Sequence, residues 1–181
     1  MSDMALVRYV VSCGVLTLPI LVWNVALTRC LPPALAGPEF SRDIPRLVTY
    51  GENTLRSAVM VLPFLMPLEL VTAGQRRGVR LFVIGMIVYF LLWVPLMVAP
   101  HSAWSTHWLG FVAPAYTPLL WLIGLGLTGR RFYGPWHINP SLAYVVLACA
   151  FVAVHVAHTH LVYARTHADP DSGGSVLHSP P

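Results

Sequence analysis

His155 and His158 stand three residues apart, and Glu52 and Arg56 four apart. Both spacings bring side chains onto one face of a helix. A pair of neighbouring imidazoles can share a proton, a metal ion or an anionic ligand. A carboxylic acid can protonate an alkene or an epoxide, and an imidazole can take the proton back. In the Glu52/Arg56 pair the acid lies on the amino-terminal side, the favourable order for a helical ion pair, worth about 0.2–0.5 kcal/mol when solvated. Glu52 also suits the positive end of a helix dipole. Arg56 suits an anionic head group, and Asn53 completes a polar corner. Each of these residues also has a structural reading: a capped helix start for Glu52 and Arg56, and interhelical hydrogen bonds for the two histidines. A metal would need a third ligand from Glu52 or His101. A bis-histidine haem would need a buried histidine on another span, and none is available. Neither a metal nor a cofactor is expected.

The elements that position these residues follow from composition. Of the 181 residues, 56% are hydrophobic and 10% charged, and the mean hydropathy is +0.67. Soluble domains are about 45–50% apolar and about 25% charged. That difference excludes a soluble globular domain and a disordered chain. The eleven basic residues, all arginine, are scattered among apolar runs, so no phosphate-tracking patch forms and no nucleic-acid partner is expected. Cys13, Cys30 and Cys149 make no CxxC or metal-type spacing. A chain this apolar belongs in a lipid bilayer. The fold class expected is all-α, a polytopic membrane protein.

A bilayer core needs about 20 mostly apolar residues per helix. Five stretches qualify, giving a bundle of five transmembrane helices at about 7–28, 55–73, 79–99, 108–127 and 142–164 within a domain 1–166. The tail 167–181, rich in Pro, Gly and Asp, reads as disordered. Arg76, Arg77 and Arg80 lie between the second and third spans, and Arg130 and Arg131 between the fourth and fifth. The loop between the third and fourth holds no arginine. That asymmetry predicts a multi-pass protein of the cell membrane with the amino terminus cytoplasmic and the carboxyl terminus outside. Arg29, Arg42 and Arg46 in the first loop oppose it. A signal peptide ending at Ala34-Leu35-Ala36 is the rival reading of the first span. Its apolar run is longer than the usual 7–15 residues, and Arg29 separates the run from the small residues.

In this orientation Asn24, Glu52, Asn53, Arg56, Trp93, Tyr116, His155 and His158 gather towards the outer half of the bundle. Tyr144, Ala148, Phe151, His155, His158, Val162 and Arg165 form one stripe of the fifth span, with His160 rotated off it. Glu69 lies near the inner end of the second span and is expected to snorkel or to pair with Arg76 or Arg77. Pro63/Pro67 and Pro114/Pro118 kink two spans and favour a pocket between them. Gly124, Gly126 and Gly129 permit close helix contact. Trp104, Trp108, Tyr133 and Trp136 fit interfacial belts, while Trp23, Tyr89, Trp93, Tyr116 and Trp121 lie deeper, as core or as pocket wall. In the long first loop, Phe40, Ile44, Leu47 and Val48 form an amphipathic turn that can act as a partial lid.

Three functions compete. The first is an enzyme doing acid–base chemistry on a lipophilic small molecule, for example an isoprenoid cyclisation or isomerisation. Glu52 is then the acid, His155 and His158 the proton acceptor or its orienters, and Asn24, Asn53, Arg56, Trp93 and Tyr116 bind substrate. Aromatic faces stabilise the cation that follows. This resembles the chemical logic of small membrane-bound terpenoid cyclases, by analogy of chemistry and not through a shared motif. The second is an accessory, assembly or lipid-binding subunit with a membrane-protein partner. The third is a small transporter, disfavoured because no inverted repeat and no ion-coupling cluster is visible. Walker A, GxSxG and HExxH signatures are absent from the sequence.

Overall fold

A computed structural model of the chain describes residues 12–133 and 139–167. The first residues of the expected span 7–28, the expected interfacial Trp136 and the tail beyond His167 lie outside the described residues. Every regular element among them is helical. We label the longer ones α1 (Cys13–Cys30), α2 (Arg46–Val61), α3 (Ala73–Val98), α4 (Pro118–Thr128) and α5 (Pro140–Thr166). Three of these, α1, α3 and α5, are long and apolar enough to cross a membrane. Their outward faces are apolar: Val25 in α1 is 73% exposed and Val98 in α3 is 74% exposed. Water would penalise such faces, whereas lipid does not.

The second and fourth expected spans take a different form from straight helices. α2 ends at Val61, runs into a 3-10 turn at Leu62–Leu65, and gives way to non-helical backbone before Thr72 caps α3. The fourth region is divided into Trp108–Phe111, Ala113–Tyr116 and α4. Proline accounts for both. It has no N–H for the carbonyl four residues back, and its ring crowds that carbonyl. Pro63 frees the carbonyl of Val59 in this way. The hydroxyl of Tyr144 in α5 donates to that carbonyl at 2.9 Å, inside the core. One proline therefore both ends α2 and creates the acceptor that fastens it to α5. Tyr144→Phe leaves the carbonyl buried and unpartnered, which costs about 1–3 kcal/mol. A thermal unfolding midpoint in detergent should fall accordingly, and an unchanged midpoint would show that the bond carries no stability.

The largest helix contact is between α3 and α4. It is close because glycines face each other: a Cβ on Gly78 would lie 2.8 Å from the carbonyl oxygen of Gly124. α5 packs against both α2 and α4, so it is the central post of the bundle. α1 leans on α3 through Trp23 and Phe90, stacked with centroids 4.2 Å apart. The start of α1 is tied to the break after α2, where the amide of Cys13 donates to the carbonyl of Met66 at 2.8 Å.

Glu69 lies in that break, and its partner is Arg131, not Arg76 or Arg77. Arg76 instead donates to the carbonyls of Leu70 and Val71. The loss of helix after Met66 turns Glu69 away from the next helical turn and towards the segment following α4. In the first loop, Phe40 and Ile44 pack with Phe111, Val112 and Val162 in a second apolar cluster. Leu47, by contrast, is 86% exposed at the start of α2.

Candidate functional site

The expected stripe of α5 is its buried face: Tyr144, Ala148, Phe151, His158 and Val162 are buried, and His160 is exposed. Helical periodicity places His155 and His158 on this face, where they meet α2. α2 presents Glu52 to them with its side chain only 2% exposed. Nδ1 of His155 lies 3.0 Å from Oε1 of Glu52, and Nδ1 of His158 lies 2.5 Å from Oε2. Neither contact has the alignment of a full hydrogen bond. Arg56, one turn further along α2, pairs with Oε1, and its side chain remains 47% exposed at the rim. The carboxylate is thus enclosed by three nitrogen-bearing side chains. Buried carboxylates are retained in folds only with such partners.

The protons in this cluster can be placed. Nε2 of His158 faces the carbonyl oxygen of Phe40 at 3.0 Å. A carbonyl only accepts, so Nε2 carries its hydrogen. Nδ1 of the same ring then meets Glu52 at 2.5 Å. Two lone pairs repel at that distance, so one of the two groups carries a proton. It sits on the ring as imidazolium or on the carboxyl as acid. Glu52 and His158 together hold one transferable proton, buried away from solvent. By the same reasoning Nδ1 of His155 bears a hydrogen towards Oε1. Its Nε2 has no hydrogen-bond partner among the described residues.

This cluster forms one wall of a cavity of about 450 Å³. Glu52, Asn53, Arg56, His155 and His158 all line it, and so do Asn24 and Trp93. Tyr116 does not. Its hydroxyl donates to the carbonyl of Leu109 at 3.2 Å, and its ring packs in the second apolar cluster. The proline break between Ala113–Tyr116 and α4 turns Tyr116 off the cavity face. The lining is also aromatic: Phe40, Tyr89, Trp93, Phe111, Trp121 and Phe151. Phe40 stacks on His158 with centroids 4.2 Å apart, and Phe151 on His155 at 5.4 Å. Tyr89 donates its hydroxyl to Oδ1 of Asn24 at 2.6 Å, which fixes that amide and ties α1 to α3 across the cavity.

Reasoning from sequence missed the part played by Phe40. Its ring marks it as apolar, but its main-chain oxygen is what orients His158. No side-chain pattern reports a carbonyl 118 positions away. The loop is held down by Arg165, at the end of the α5 stripe, which donates to the carbonyl of Glu39 at 2.7 Å and also to that of Arg42.

Among the described residues no group of three or more side chains suited to holding a metal ion is present. Comparison with family models, curated proteins and solved structures finds no match. The chemistry is therefore argued from the geometry alone.

Proposed function

We propose that this chain is a multi-pass membrane enzyme that transfers protons to and from a lipophilic small molecule held in the cavity. One observation carries the reading: Nδ1 of His158 lies 2.5 Å from Oε2 of the buried Glu52 at the wall of an aromatic-lined cavity. Storing a proton there serves no packing purpose that a wholly apolar set of residues in place of the cluster would not serve as well. In the concrete version, the stored proton passes from the carboxyl of Glu52, which lines the cavity, to the substrate, and the free lone pair at Nε2 of His155 serves as the base. A C–H bond forms at an alkene, or an O–H bond at an epoxide. The pair is left as carboxylate and neutral imidazole. The faces of Phe40, Trp93, Trp121 and Phe151 stabilise the carbocation. Loss of a proton from a neighbouring carbon to His155 closes the cycle, giving isomerisation or cyclisation with no net proton change.

The test is chemical. Lipid extracts of the purified protein, analysed by mass spectrometry, should contain a compound enriched over the bulk membrane, and incubation in D₂O should convert it with deuterium uptake. A reproducible protein partner with no such compound would favour an accessory subunit and reject the enzyme.

We also read the helical stretches 46–65 and 103–128 as the second and fourth crossings. An α-helix of α2's length followed by its 3-10 turn spans about 32 Å, against a hydrocarbon core of about 30 Å. With the amino terminus cytoplasmic, a cysteine introduced at Arg77, in a chain whose native cysteines are replaced by serine, should react with membrane-impermeant maleimide only after the cells are opened. Labelling of intact cells would reverse the orientation.

A further inference from the structure

The cavity lining holds hydrogen-bond donors that the chain leaves unmet. An indole N–H donates and never accepts, and a buried one usually has a partner. Trp93 and Trp121 line the cavity at 5% and 4% exposure, and their Nε1 atoms are buried with no hydrogen-bond partner among the described residues. Both rings pack on Tyr89, with centroids 5.7 and 6.5 Å from it, so the two donors belong to one part of the wall. Arg56 lies close enough to Tyr89 to act on it electrostatically. The acceptors around them are engaged. Oδ1 of Asn24 accepts from Tyr89, the Phe40 carbonyl accepts from His158, and both carboxylate oxygens of Glu52 face nitrogens. The Tyr89 hydroxyl is near Trp93 without the alignment of a full bond. Orphaned donors in such a wall suit a ligand that brings its own acceptors.

Charge says which acceptors. Arg56 is the one Lys or Arg among the described residues of the lining, and it is positive. Glu52 and His158 hold one proton between them, so that pair is neutral whichever group carries it. His155 is neutral, with a lone pair at Nε2. The cluster therefore keeps one positive charge, and a charge facing an apolar cavity is costly until it is compensated.

Resting on the proposed acid–base function, we infer that the substrate is an anionic lipophile: a hydrocarbon chain ending in a carboxylate or a phosphate ester. Its charged oxygens accept from Arg56 and from the indole N–H groups of Trp93 and Trp121. Its tail runs among Ile20, Met60 and Phe151 and carries the carbon that receives the proton. The indole edges, which are positive, meet the head group, and the negative ring faces remain for the carbocation.

The experiment uses the full chain in an uncharged maltoside detergent and probes that share one tail. Tritiated laurate is measured by scintillation proximity and competed with dodecanol and with dodecyl phosphate. Laurate should bind saturably, and dodecanol should compete at least about ten-fold more weakly, the difference a charged hydrogen bond makes. Dodecyl phosphate separates the two head groups. Competition stronger than that of unlabelled laurate assigns a phosphate ester and weaker competition a carboxylate, and either upholds the inference. Replacing Trp121 with benzothienylalanine keeps the bicyclic shape and removes the N–H. Laurate binding should weaken about ten-fold, while the protein without added ligand melts no lower than wild type, because the lost donor had no partner. Arg56→Gln, a change at the half-exposed rim, is the second variant and should also weaken laurate about ten-fold. Dodecanol that competes as well as laurate overturns the inference, and so does laurate binding that neither variant alters. Both results leave the acid–base reading intact. Conversely, specific laurate binding combined with unchanged turnover in Glu52→Gln rejects the acid–base reading while the assignment of ligand class survives.

Discussion

Glu52→Gln is expected to lower turnover of the co-purifying compound by about 10²–10⁴-fold, the usual contribution of a positioned acid or base. The fold should survive. A glutamine amide can donate to Nδ1 of His158, and its oxygen can still accept from Arg56, so the local bonds are replaced and only the stored proton is lost. Glu52→Leu separates the two effects. It leaves two histidines and an arginine facing a hydrocarbon side chain, and breaking a buried charge cluster from one side costs about 3–5 kcal/mol. The glutamine variant should therefore be folded and inactive, and the leucine variant poorly folded. Turnover in Glu52→Gln within about three-fold of wild type would remove Glu52 from the chemistry, since a general acid contributes at least about 10².

Arg165→Met should release the loop that covers His158. The guanidinium donates to the carbonyls of Glu39 and Arg42, and hydrogen bonds involving a charged group contribute about 1.5–3 kcal/mol each. Losing both lowers the local opening energy by at least about 3 kcal/mol, which corresponds to a rise of about 100-fold in amide exchange. Hydrogen–deuterium exchange of a peptide covering 33–44 reads this directly, because the amides of Leu35, Ser41 and Ile44 are bonded within the loop. Peptides from α3 should exchange as before. If the loop exchanges at the wild-type rate, Arg165 does not hold it down.

What the sequence made legible is what depends on short range. Composition indicated an apolar helical chain, and 3.6-residue periodicity gave the buried stripe of α5. The four-residue spacing placed Arg56 beside Glu52. What it did not make legible depends on long-range meetings or on backbone atoms. Glu69 and Arg131 are 62 positions apart, and they meet only because α2 unwinds after Pro63. A hydropathy window sums side chains and does not register a missing N–H, so 55–73 and 108–127 read as unbroken spans. Tyr116 was assigned to the pocket by depth, but depth does not fix rotation, and the proline break rotates it out. His158 was correctly placed on a face, yet its proton inventory depends on the carbonyl of Phe40, which no residue type encodes.

That Arg165 grips the loop by its carbonyl oxygens has a consequence for how freely this segment can change its residues. Every residue has a carbonyl, so the grip does not depend on which side chains occupy positions 39 and 42. The Glu39–Arg42 ion pair is solvent-exposed, and such pairs contribute about 0–1 kcal/mol. Selection can therefore let Glu39 and Arg42 drift while the loop keeps its shape. Four positions escape this freedom. Gly37 has φ 59° and Asp43 has φ 58°, a conformation that suits glycine and is tolerated by Asp and Asn, Phe40 must supply a ring to cover His158, and Ile44 packs in the second apolar cluster. A saturation library covering 39–44, position 37 and position 165, sorted for folded protein, should thus accept many residues at 39 and 42, few at 37, 40, 43 and 44, and fewest at 165.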